Sequence, residues 1–158
     1  MPVIRQADAP LRTGSMYPAR YAAMMAGRSS LRLGQAGGLT QFGVNLVILA
    51  PGAMSSLLHA HEREDEFVMV LEGECTLETD RGEWLLLPGD CAAFPAGGGE
   101  FHHFINRTGR EARFLVIGSR MAEERATYGG DADLLIIREG GVDRILHKDG
   151  RPYAPEDF

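Results

Sequence analysis

Apolar residues in this chain come in short runs divided by turn residues. Phe42–Leu49 is an apolar run closed by Pro51 and Gly52, which predicts a strand. Residues 55–61 predict a second strand, 66–71 a third and 74–79 a fourth. Asp80, Arg81 and Gly82 close a hairpin into 83–87. Pro88, Gly89 and Asp90 turn into Cys91–Phe94, and residues 95–99 form a loop. Residues 101–106 and 112–118 are the next two strands, joined by a turn at 107–110. Short strands with a turn signal about every 8–12 residues predict a sandwich or a small barrel.

The flanks are less regular. Residues 1–20 are polar and broken by Pro2, Pro10, Gly14 and Pro18, so they predict an arm with little structure of its own. Residues 21–26 are good helix formers. Residues 122–126 predict a short helix. Residues 133–137, Gly140, Gly141 and Val142–Leu146 predict a hairpin, and the chain after Pro152 is expected to be loose. The expected organisation is one domain: an arm over 1–40 packed on a barrel over 41–120, with an extension over 121–158.

Composition narrows the class. At 158 residues the chain suits one domain with a real core. Hydrophobic content of 44% and charged content of 24% are ordinary for a soluble protein. Twenty glycines favour a turn-rich β-architecture over helices. A net charge of −6 argues against general nucleic-acid binding. The first residues carry an acid and no long apolar core, so no secretory signal is expected. No apolar run approaches a membrane span, so no membrane partner is expected. With two cysteines, a cytoplasmic location with reduced thiols is the expectation. Cys75 and Cys91 lack CxxC spacing and are expected to be small buried residues.

Candidate chemistry concentrates between residues 52 and 106. His59 and His61 are two apart, so on a strand both point to one face. Glu66 begins the next apolar run, and His102 lies in a later apolar, aromatic segment. Three imidazoles and one carboxylate suit a first-row transition metal: Fe, Mn, Ni, Zn, Co or Cu. Alternation also sends Leu57, Val68 and Val70 inward, which predicts a largely apolar cavity around the donors. Four ligands would leave two positions of an octahedral ion for water, substrate or dioxygen. Residues 62–65 read as a solvated turn, with Asp65 a rival to Glu66. His103, His147 and Tyr128 read as surface or packing residues. Asn106 is expected to fix a turn through side-chain-to-backbone hydrogen bonds, and Gly73, Gly89 and Gly97 to meet backbone demands.

The spacing of these residues resembles the two signature motifs of the cupin superfamily, of the small single-domain, cupin 2 type. Gly52, His59, His61, Glu66 and Gly73 match the first motif, with Gly52 one residue further from His59 than usual. Gly89, Pro95, Gly97, His102 and Asn106 match the second, with a gap before His102 two residues longer than usual. Residues 38–43 and 148–153 are similar to a group of small bacterial single-cupin proteins. The resemblance implies an all-β double-stranded β-helix, or jelly roll, and metal ligation by His59, His61, Glu66 and His102. His102 lies four before Asn106, the motif spacing, whereas His103 lies three before it. The resemblance further implies a metal-dependent enzyme acting on a small polar metabolite, of oxygenase or sugar-phosphate isomerase type. The alternative is a non-catalytic module that binds or senses a small molecule. A phosphate site wants a basic cluster facing the cavity. Arg63, Arg107 and Arg113 are scattered, which counts against the isomerase version. Strands 67–71 and 114–117 are apolar at every position, which predicts cover on both faces: one by the barrel interior, the other by the N-terminal arm, the C-terminal hairpin or a second subunit. Cupins commonly pair through such a face, so a homodimer is expected.

Overall fold

The computed structural model describes residues 3–158; the first two residues of the expected arm lie outside the described region. The N-terminal segment holds β1 (Leu11–Thr13), α1 (Ala19–Ala22), β2 (Arg28–Leu31) and α2 (Leu33–Ala36). The barrel follows as β3 (Phe42–Leu49), β4 (His59–His61), β5 (Glu66–Glu72), β6 (Cys75–Thr79) and β7 (Gly82–Leu86). It continues with β8 (Cys91–Phe94), β9 (His102–Ile105) and β10 (Ala112–Ser119). The C-terminal segment adds β11 (Glu124–Tyr128), β12 (Leu135–Glu139) and β13 (Val142–Leu146).

These strands build two antiparallel sheets, the expected jelly roll. One sheet runs β1-β2-β3-β10-β5-β8 and the other β13-β12-β11-β4-β9-β6-β7. Alternation places Val47, Val68, Val70, Leu77, Phe104 and Phe114 between them as the main core. A second cluster, with Tyr21, Met25, Leu57, Tyr128, Leu134 and Ile136, ties the N-terminal segment to β11 and β12. Gly73 shows a demand met only by glycine. Its φ is +72°, and a Cβ there would lie 2.5 Å from the Glu111 carbonyl oxygen.

Four expectations need correction. The arm is not structureless: β1 pairs with β2, and β2 pairs with β3, so two strands widen the first sheet. The strand expected over 55–61 shrinks to His59–His61: the Ser55 amide still donates to the Phe104 carbonyl at 2.8 Å, but the return bond goes to the Ser55 side chain. Its hydroxyl accepts from the Phe104 amide at 3.0 Å. The helix expected over 122–126 is instead strand β11. Pairing to β4 and β12 on both sides overrides the helical propensity of alanine and glutamate. Cys75 is buried at 1% exposure, but Cys91 is exposed, because it sits on the outer face of edge strand β8. No described helix is long and apolar enough to cross a membrane.

Candidate metal centre

β4 carries His59 and His61, β5 begins with Glu66, and β9 begins with His102. Register brings them together: His59 lies directly opposite His102 across β4 and β9. His59, His61 and Glu66 place three donor atoms within 4.8 Å of one another. His102 stands beside this trio. Its Nε2 is 3.2 Å from Glu66 Oε1, and its ring centroid is 4.7 Å from that of His59. His102 is 1% exposed and stacks on Phe94 at 3.5 Å and 6°.

The hydrogen bonds prepare these groups to accept a cation. His59 Nδ1 lies 2.9 Å from the Leu57 carbonyl, which can only accept, so Nδ1 carries the proton and Nε2 is left bare. Burial, helped by the neighbouring His102 and His61, lowers the His59 pKa to about 3, so the ring is neutral at physiological pH. Burial would raise Glu66, but the His102 hydrogen bond and nearby imidazole charge outweigh it and hold the carboxyl at about 2. His102 faces acceptors on both sides, the Glu100 carbonyl at 3.3 Å and Glu66. A positive charge between His102 and Glu66 resolves that conflict. His61 Nδ1 is buried with no partner. A lone-pair imidazole, an ionised carboxylate and a nearby pair that wants positive charge fit a divalent transition metal.

The rival residues go elsewhere. Asp65 Oδ1 accepts from the Ala96 amide at 2.7 Å and pins the 95–97 loop. His103 is buried facing away from the cavity, with Nδ1 donating to the Ser56 carbonyl at 2.9 Å and Nε2 3.6 Å from Glu78. Tyr128 is a packing residue, stacked 5.8 Å from His59. His147 pairs with Asp133 at 2.7 Å, remote in the fold at the end of β13. Asn106 fixes its turn as expected, donating to the Leu49 and Arg110 carbonyls and accepting from the Thr108 amide.

His59, Glu66 and His102 line a cavity of about 290 Å³. The expectation of largely apolar walls is corrected here. Val47, Phe104, Phe114 and Val116 supply apolar surface, but Arg12, Arg28, Arg32 and Arg120 also line the cavity. Arg12 and Arg28 enter because β1 and β2 extend the sheet and turn their polar face inward, Arg32 follows β2 directly, and Arg120 follows the end of β10. The arginines considered from sequence lie elsewhere: Arg107 pairs with Glu78 and Glu83, and Arg113 with Glu72 and Glu111. A signal for the missed set does exist. Arg28, Ser30 and Arg32 alternate, so an extended segment carries all three on one face.

Residues 45–118 match the family model described as the cupin domain. The chain is similar to a sugar phosphate isomerase of the cupin superfamily from Silicibacter pomeroyi. The two share 51% identity over 99% of each chain, with a TM-score of 0.91. It is also similar to a candidate sugar phosphate isomerase from Acidithiobacillus ferrooxidans. There the identity is 26%, covering 88% of this chain and 96% of that one, with a TM-score of 0.71. A polyketide cyclase from Streptomyces resistomycificus, at 24% identity and a TM-score of 0.65, shares the fold. That match covers 83% of this chain and 88% of that one. Among curated proteins none matches the chain. A jelly roll with its donors on β4, β5 and β9, a matched cupin model and half-identity over nearly the full length lead to one conclusion: the chain belongs to the cupin superfamily.

Proposed function

We propose that this protein is a metal-dependent isomerase of a small sugar phosphate. His59, His61, Glu66 and His102 would hold one divalent transition metal ion. The observation that carries this reading is the convergence of His59, Glu66 and His102 on one cavity sized for a small metabolite. The relative from Silicibacter pomeroyi supports the choice of reaction class. A bound metal supplies Lewis acidity that polarises a sugar carbonyl. The chain's own residues do the rest. The neutral His59 keeps Nε2 available, the ionised Glu66 balances positive charge, and Phe94 and Phe104 limit water on the His102 side.

One observation favours a second reading, a non-catalytic binding module. Among the described residues, Glu66 is the only carboxylate lining the cavity. If it holds the metal, no separate carboxylate remains to move a proton between sugar carbons. The test begins with elemental analysis after reconstitution with each divalent first-row metal; about one atom per chain is expected. Each loaded form is then incubated with aldose phosphates in deuterated water, and ketose formation and deuterium uptake are followed by NMR. Oxygen uptake in the same samples tests an oxygenase. Binding of sugar phosphates with no turnover by any metallated form would replace the isomerase with the binding module.

A further inference from the structure

Four arginines share the cavity, and the arginines that pair with carboxylates lie outside it. Arg107, Arg113, Arg138, Arg144 and Arg151 each pair with a carboxylate. Among the described residues, Arg12, Arg28, Arg32 and Arg120 make no such pair, although they share one cavity. The one contact with a side chain acceptor is a long one, from Arg32 to Gln35 at 3.4 Å. Arg28 Nε is buried without any partner. Burial draws the Arg28 and Arg32 guanidiniums below their ordinary range, and Arg12 pulls both further down by like-charge repulsion. Unpaired, partly desolvated cations destabilise a fold unless something else uses them.

Their placement is also built. Arg12 lies opposite Ser30, which lies opposite Val47, so the β1 and β2 residues stand in register with the cavity wall. Arg32 is tethered through its amide to the Pro10 carbonyl at 3.0 Å. Arg120 is tethered likewise to the Gln41 carbonyl at 3.0 Å. Its guanidinium runs over Gly43, where a Cβ would sit 3.4 Å from Nε. Asn45 adds an amide beside it.

We infer that Arg12, Arg28, Arg32 and Arg120 form an anion subsite that receives the phosphate group of the substrate, in the same cavity as His59, Glu66 and His102. This rests on the sugar-phosphate reading and assigns its phosphate to residues outside the cupin-matched segment, apart from the wall they share. Planar guanidiniums give paired donors to phosphate oxygens. Four of them exceed what the two oxygens of a carboxylate can accept, so a phosphate dianion is the better match in charge and acceptor number.

The test is calorimetric titration of the chelator-treated, full-length chain with inorganic phosphate. Removing metal keeps phosphate from binding there. Arg28→Met and Arg120→Met should each weaken phosphate binding at least tenfold. Arg107→Met, which removes a charge paired outside the cavity, should leave it unchanged. Phosphate should raise the melting temperature of the unmodified protein but not of Arg28→Met. Without phosphate, Arg28→Met should melt no lower than the unmodified protein, because it removes an unpaired, half-buried cation; a purely structural arginine would lower it. Should Arg28→Met fail to fold, Arg120→Met at its exposed position decides alone. Equal affinity in all variants, or equal loss in Arg107→Met, overturns the subsite. So does acetate that competes as well as phosphate. If the loaded enzyme makes no ketose while the arginine dependence of phosphate binding holds, the isomerase reading falls and the subsite stands. If unphosphorylated sugars turn over with equal kcat/KM and phosphate does not bind, the subsite falls and the isomerase stands.

Discussion

At the scale of residues, the adjacent pair His102 and His103 shows how much strand alternation decides. Both rings are buried, so burial does not tell them apart. Direction does. His102 lines the cavity and meets Glu66, while His103 crosses to the Ser56 carbonyl and Glu78. His102→Ala is therefore expected to weaken metal binding at least tenfold, as loss of one donor in four should. His103→Ala is expected to leave metal affinity within a factor of two. It should instead lower stability by about 1–3 kcal/mol, because the Ser56 carbonyl loses its buried donor. Metal titration and denaturant unfolding of both variants check this. Metal released by His103→Ala and retained by His102→Ala would mean that the donor register is wrong. The same alternation separates Asp65 from Glu66: one carboxylate pins the 95–97 loop and the other joins the imidazoles.

At the scale of elements, the turn between β4 and β5 is held by a residue on a third strand. Glu124 of β11 is buried, and its carboxylate accepts from the Glu62 amide at 2.9 Å and the Arg63 amide at 3.2 Å. That clamp sets the path from His61 to Glu66. Glu124→Ala is expected to cost about 1–3 kcal/mol and to weaken metal binding, since the amides of the turn lose a buried carboxylate acceptor. Glu124→Gln, which keeps one acceptor oxygen, should cost less. Denaturant unfolding and metal titration of both variants are the measurements, and an Ala variant as stable as the unmodified chain would refute the clamp. Elements with core-facing alternation or clear Pro and Gly boundaries were legible in the sequence. β3, β8 and β13 have the expected bounds. β1 and β2 were not legible, because their inward face carries Arg12, Arg28 and Ser30, which line the cavity and leave no hydrophobic period. β11 was hidden because alanine and glutamate suit a helix until two neighbouring strands claim them. The clustering of His59, His61, Glu66 and His102 was legible because its motif is local, whereas the arginine wall depends on pairing between β1, β2 and β3.

At the scale of the whole molecule, the first sheet has an outer face that the single chain covers only in part. Leu46, Leu115 and Met69 stand in one row on that face, and Ile117 stands beside Phe67. α2 packs on β3, so closely that a Cβ on Gly34 would lie 2.9 Å from the Val44 amide nitrogen. Leu46 is accordingly only 2% exposed. The cover stops there: on β5, Phe67 is 38% exposed and Leu71 49%. Of the three covers expected for this face (the arm, the C-terminal hairpin or a second subunit), the single chain therefore leaves the last. The arm's Tyr21 and Met25 pack with β11 and β12 of the other sheet, so neither they nor the hairpin cover β5. We propose that a second copy of the chain does, burying roughly 800 Å² on each partner as stable interfaces of ordinary size do. Light scattering at micromolar concentration should give twice the 17.2 kDa chain mass. Leu71→Glu, which sets a charge at the exposed end of the β5 line Phe67, Met69 and Leu71, should halve that mass without changing the metal content per chain. An unmodified protein that scatters as a monomer would leave the β5 face without a partner and refute the dimer.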